Sequence, residues 1–128
     1  MSSNIDVLGI HTQALALRAR RAEILATNLA NADTPGYQAR DLDFAAVLAG
    51  QGNEGALRTT DLRHLGGADP DFDFALRYRE PLQASLDHNT VDVQAERAAF
   101  VDNAMRYQAS LTFLNGRIRG LISALRGD

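Results

Sequence analysis

The chain has no cysteine and no tryptophan, and all 13 of its basic residues are arginine. Without cysteine it forms no disulfide and no thiolate metal site, and either redox compartment suits it. The absence of lysine is the mark of a GC-rich coding sequence. No run of about 18 apolar residues occurs, which excludes a transmembrane helix and membrane insertion. The first twenty residues lack a basic stretch followed by an apolar core, so no cleaved secretion signal is expected. Charge is also sparse in pattern. The net charge is −3, and the arginines form no basic stripe, which excludes nucleic acid as a partner. With 45% hydrophobic residues, the chain still carries enough apolar surface to build a core.

That apolar material is concentrated in the two ends. Phe100, Ala104, Tyr107, Leu111, Leu114, Ile118, Leu121 and Leu125 follow one another in steps of four and three. Such a row lies on one face of a helix and seeks a partner helix. The N-terminal end repeats the arrangement with Leu8, Leu15, Ala22 and Leu29, seven apart, and Leu25 beside them. A second row, Ile10, Leu17 and Ile24, is displaced by two residues, about 200° of helix rotation. A two-helix hairpin buries only one of these opposed rows. The other is therefore expected to meet further helices in an assembly.

Between the ends the chain is polar and broken by turns. Residues 34–90 hold five arginines against nine acidic residues. A Pro-free helix is predicted from about Ile5 to Ala32, ending in Asn31-Ala32-Asp33-Thr34-Pro35-Gly36-Tyr37. Thr34 precedes proline and is driven from the helical region, while Pro35-Gly36 suits the centre of a type II turn. Asn28 and Asn31 are expected to satisfy loose carbonyls at the helix end. A short helix around Phe44 to Leu48, with Asp41 or Asp43 near its start, is expected to follow. Residues 51–55 and Gly66-Gly67 read as breaks. Phe72, Phe74, Leu76 and Tyr78 alternate, predicting a strand with one buried face that stops at Pro81. Asn89, Thr90 or Asp92 is available to cap the last helix, of about 34 residues.

The fold class is therefore mainly α. Long N- and C-terminal helices pack as a coiled-coil-like hairpin, with an extended, loop-rich middle containing a short β segment. The expected division is 1–33, 34–90 and 91–128. Nothing in the chain gathers catalytic chemistry. His11, His64 and His88 lie apart from one another and from carboxylates at ligand spacing. Asp69, Asp71 and Asp73 read as a solvated face and lack the glycine and closing glutamate of a calcium loop. No nucleophile elbow or phosphate loop is present, so neither an enzyme nor a cofactor is expected. Arg18, Arg20 and Arg21 admit two readings: a solvated stripe with stems on apolar surface, or a contact to an acidic neighbour such as the middle of an adjacent subunit.

Two blocks carry a resemblance. Asn28 to Asp41, with its Ala-Asn-x-x-Thr-Pro-Gly-Tyr core, is similar to the signature that closes the first helix in the bacterial flagellar rod and hook family. Asn89-Thr90-Val91-Asp92, followed by Glu96, Asn103, Arg106-Tyr107 and Leu125, resembles the C-terminal block of its proximal rod members. Gln38 stands where a basic residue is common in that family, and His88 replaces a frequent glycine. The resemblance implies a structural subunit of the basal body, located in the rod across the periplasm and exported without cleavage by the flagellar type III apparatus. It implies assembly with itself and other rod proteins, and contact with the rod-to-ring adaptor FliE and the MS ring. Such export substrates carry a Phe-led cluster read by the export gate, and Phe44 to Leu48 is either that cluster or a plain short helix. Competing readings are another small rod protein of the family, or a coiled-coil adaptor or export chaperone.

Overall fold

The computed structural model describes residues 2–47, 72, 75–81 and 83–127. Four elements order the chain: helix α1 (Ser2–Ala30), strand β1 (Arg40–Leu42), strand β2 (Leu76–Tyr78) and helix α2 (Val93–Arg126). Residues 44–47 are helical as well. The side chains of Leu8 and Ile10, together with Leu48, His64, the breaks at 51–55 and 66–67, Asp69, Asp71, Asp73 and Phe74, lie outside the described residues.

The two long helices run antiparallel. Asn28 of α1 meets Glu96 of α2, and farther along the backbone carbonyl of Arg18 meets Asn103. Near the far end the rings of His11 and Phe113 are 4.6 Å apart. At 1.5 Å per residue, the 34 residues of α2 extend about 50 Å. Its ends are closed by local chemistry. The Asp92 carboxylate accepts from the N–H groups of Gln94 and Ala95, and Gly127, at φ +76°, turns its N–H back onto Ala124 and Ser123. Of the three residues available as N-cap, Asp92 takes the role.

The middle contains a strand that the sequence pattern does not reveal. Arg40–Leu42 pairs antiparallel with Leu76–Tyr78, with Leu42 opposite Leu76. Bonds from Arg79 N–H to Ala39 and from Asp43 N–H to Ala75 continue the ladder at both ends. Three residues are too few to display a period of two, so β1 hides behind the helix signal after it. Asp43 caps that helix by accepting from Ala46 N–H, whereas Asp41 points elsewhere. The alternation expected for 72–79 also stops early. Phe72 is buried and Leu76 half-buried, but Tyr78 is 69% exposed, because a two-stranded ribbon has nothing to cover its far end.

Leu17 and Ile24 form the core together with Leu42, Val47, Phe72 and Ala75. This corrects the expectation that the second row of α1 awaits helices from other subunits. At Leu17 and Ile24 it is covered by the chain's own middle segment, since a short ribbon and a helical turn hide an aliphatic stripe as well as a helix does. Burying each of these side chains is worth about 2 kcal/mol. On the other side of α1, Leu25 is fully buried, and Leu15, Ala22 and Leu29 are half-buried.

The row on α2 behaves differently. Tyr107, Leu111 and Leu114 are half-buried, whereas Phe100, Ala104, Ile118, Leu121 and Leu125 are exposed. The line of α2 that is most deeply buried is polar: Glu96 and Asn103, seven residues apart. The apolar row is thus turned part-way out of the hairpin.

Candidate functional site

The Thr34-Pro35-Gly36-Tyr37 turn and the Asn89-Thr90-Val91-Asp92 block, more than fifty residues apart in sequence, form one joint. Gly36 has φ +74°, and Tyr37 N–H donates back to the Thr34 carbonyl at 3.2 Å, the geometry of a type II turn. Gly36 N–H donates to Asp87, Thr90 N–H to Tyr37, and Ala39 N–H to the Thr90 hydroxyl. Asn89 closes the joint from inside. Its buried amide Nδ2 lies 2.8–2.9 Å from the carbonyls of Asn31, Ala32 and Thr34, and its Oδ1 accepts from Val91 N–H. These carbonyls belong to the turn that follows α1, where those of Asn31 and Thr34 also accept from Thr34 N–H and Tyr37 N–H, and a residue from the far side of the middle segment adds its amide to them.

Sequence reasoning gave the task of meeting loose carbonyls at the end of α1 to Asn28 and Asn31. Asn31 performs it locally, donating to the Thr27 carbonyl at 2.8 Å. Asn28 does not. Fully buried, it faces Arg40 and exchanges two bonds with that residue's backbone, like an extra peptide in a ladder. It also accepts from the Tyr37 hydroxyl and donates to Glu96. His88 takes φ +62° in the turn before α2, at a cost of about 1 kcal/mol for a residue with a Cβ.

Beside the joint, a charged web ties the middle to both helices. Arg21 grips Asp41 with two bonds of 3.0 Å, and Arg79 adds a third at 2.8 Å. The other side of the Arg79 guanidinium pairs with the fully buried Glu96. Arg21 therefore does contact the acidic middle, but that of its own chain. Arg20 pairs with Glu23 on its own helix, and the Arg18 guanidinium lies 5.5 Å from the centre of the Phe44 ring. Burial draws the Arg18 pKa below its ordinary value, and the neighbouring Arg106 and Arg21 add to this.

Burial opposes ionisation of Asp41, but the Arg21 bond and charge outweigh it, with help from Leu42 N–H and Arg79, and hold its pKa below the usual 3.8. The sign follows from linkage. A depressed folded pKa supplies stability that is complete above the unfolded value and disappears as pH falls through the folded one. Urea midpoints are expected to be level near neutrality and to fall below about pH 4, with a shallower fall in Asp41→Asn. An equal acid slope in that variant would remove Asp41 from the account.

Two further features frame the joint. Asn103 donates to the Arg18 carbonyl at 2.9 Å, while its own Oδ1 and the Arg18 Nε are buried without a partner. Each such atom costs about 1–3 kcal/mol. The signal for Asn103 was present in the sequence as a polar column, Glu96, Asn103, Ser110 and Arg117, running beside the apolar row at seven-residue spacing. The second feature is apolar exposure along α2, where Val101, Met105, Phe113, Ile118, Leu121, Ile122 and Leu125 are all exposed. No helix among the described residues is long and apolar enough to cross a membrane.

Comparison with known proteins bears directly on this architecture. A family model described as "Flagella basal body rod protein" matches residues 8–38, which include most of α1 and the Thr-Pro-Gly-Tyr turn. The "Flagellar basal body rod protein FlgB" of Cereibacter sphaeroides is 48% identical over 123 residues, 96% of each chain. The chain belongs to the flagellar basal body rod family. The proteins of the same name from Salmonella typhimurium and Escherichia coli are 47% and 46% identical, over 94% and 93% of this chain and 93% and 92% of their own. In this rod family member the similarity spans both helices and the joint together.

Proposed function

We infer that the chain is a structural subunit of the bacterial flagellar basal body rod, and not an enzyme. Near-full-length identity to proteins named for that rod supports this, and one geometric observation carries it further. The last two turns of α2 hold Leu121, Ile122 and Leu125 in solvent, Leu125 at 88% exposure, on a well-capped helix. An apolar helix flank of this extent is a surface for neighbours.

The finer reading is a proximal rod subunit. Segments 1–33 and 91–128 form the tube, and residues 34–90 form the outer part. Phe100, Ala104, Ile118, Leu121 and Leu125 meet other copies and other rod proteins. Further partners are the rod-to-ring adaptor FliE and the MS ring. The flagellar type III export apparatus carries the chain, with Phe44 and Leu48 in the cluster the export gate reads. In the folded chain Phe44 is half-buried beside Arg18 and Arg21, so such reading precedes folding. The alternatives, another small rod protein such as FlgC or a coiled-coil adaptor, have no observation favouring them.

Deleting the gene and imaging basal bodies tests the reading, with rings lacking a rod as the expected outcome and complete rods rejecting it. Complementation with Leu125→Asp sharpens the test. Leu125 is exposed, so the purified variant is expected to keep its helical content and melting temperature while failing to enter basal bodies. Normal incorporation would remove this end of α2 from the interface.

A further inference from the structure

The two sides of α2 are placed against expectation for stability. Its polar line, Glu96 and Asn103, is turned onto α1, and its apolar row is turned part-way to solvent. At 100° per residue, the apolar row is centred about 40° round the helix from the Glu96–Asn103 line. A modest turn of α2 about its own axis would lay that row on α1 and bury more hydrocarbon. Packing alone therefore does not select the observed orientation.

Two anchors do. Glu96 is held near the joint by Asn28 and by Arg79, which is itself fixed by Asp41. That anchor stands four residues into a helix of 34 and governs only its beginning. Two turns farther on, Asn103 is 1% exposed and bonded to a backbone carbonyl of α1, an acceptor whose position no side-chain rearrangement alters. Its own Oδ1 has no partner, so the amide is a poor choice for stability and a good one for orientation. Rotating α2 would drag the amide off the Arg18 carbonyl and leave both buried. An apolar residue at the same place would carry no such penalty.

We propose that Asn103 is a positioning residue that sets the rotation of α2, keeping the apolar row out of the hairpin and presented to neighbouring subunits. The rotation stands on the hairpin geometry alone, and only its consequence for assembly rests on the rod reading. The proposal resembles the use of a single buried polar residue to choose among helix pairings at some expense in stability.

The chain's lack of cysteine gives a clean assay. Cysteines are introduced singly at Ala104, exposed within the apolar row, and at Ala98, exposed on the far side, and thiol labelling is timed in the purified full chain. With N103L added, labelling of A104C is expected to slow several-fold while that of A98C is unchanged, with the melting temperature equal or raised. Fewer copies of N103L are then expected in basal bodies. Equal labelling of A104C with and without N103L overturns the proposal, whatever happens in basal bodies. Slowed labelling with normal incorporation retains the rotation and rejects its role in assembly. If N103L loses its helical signal, N103A is measured in its place, with slowing in the same direction expected. Loss of helix in both makes Asn103 a packing residue and overturns the proposal.

Discussion

Replacing Glu96 by Ala is expected to cost about 3 kcal/mol and to lower the melting temperature by roughly 10 °C. Glu96 is fully buried, and its carboxylate takes both Arg79 and the Asn28 amide. Removing one member of a buried pair leaves the other with an uncompensated charge, which costs about 3–5 kcal/mol in a dry interior. The low end applies because Arg79 retains about a quarter of its side-chain exposure and keeps its bond to Asp41. Glu96→Gln preserves the shape and an acceptor for Asn28, and is expected to lose about half as much. Urea unfolding of the two variants checks this. Equal losses would show that shape matters here and charge does not. The consequence reaches beyond stability, because Glu96 is the only residue of α2 in the web that holds β1 and β2 in place among the described residues. In Glu96→Ala the middle should loosen from the hairpin before the helices separate, seen as faster amide exchange at Arg40–Leu42 than in α1.

Asn89→Ala is the second large effect, about 2–3 kcal/mol. One amide group serves three carbonyls of the turn after α1, and Asn89 Oδ1 fixes the approach to α2 through Val91 N–H. Alanine removes that amide from the turn and frees the joint between the end of α1 and the entry to α2. A motility assay should show this more sharply than denaturation does. The expected result is a protein at normal level, with helical content retained and swimming lost, because a subunit whose middle is loosely joined to its helices does not fit a regular tube. Wild-type swimming would show that the Thr34–Tyr37 turn holds its angle without Asn89. His88→Gly at the neighbouring residue relieves strain and serves as a control that disturbs the same turn in the opposite sense.

Much of the outline was legible in sequence because it depends on local rules. The four-and-three spacing from Phe100 to Leu125 specifies a helix, and Asn89, Thr90 and Asp92 before an uninterrupted run place its start within a few residues. Thr34-Pro35-Gly36-Tyr37 encodes its turn through the fixed φ of proline and the open φ of glycine. These features need no knowledge of the rest of the chain. The family resemblance lay in the same residues, since short fixed motifs survive where the surrounding packing varies.

What local rules leave open is which surface meets which. Leu17 and Ile24 looked like an interface for other helices, and the chain's own ribbon covers them. Arg21 admitted a solvated stripe or an acidic neighbour, and is held by Asp41 of its own chain. Asn28 looked like a helix cap and pairs with Arg40, while the turn after α1 is closed by Asn89 from more than fifty residues farther on. Above all, the apolar row of α2 looked like the inside of the hairpin, and the fold turns it part-way outward. A helix states its apolar face in its own sequence. The side that faces inward is a choice between competing pairings, and here buried Glu96 and Asn103 decide it through partners that only the folded chain brings within reach.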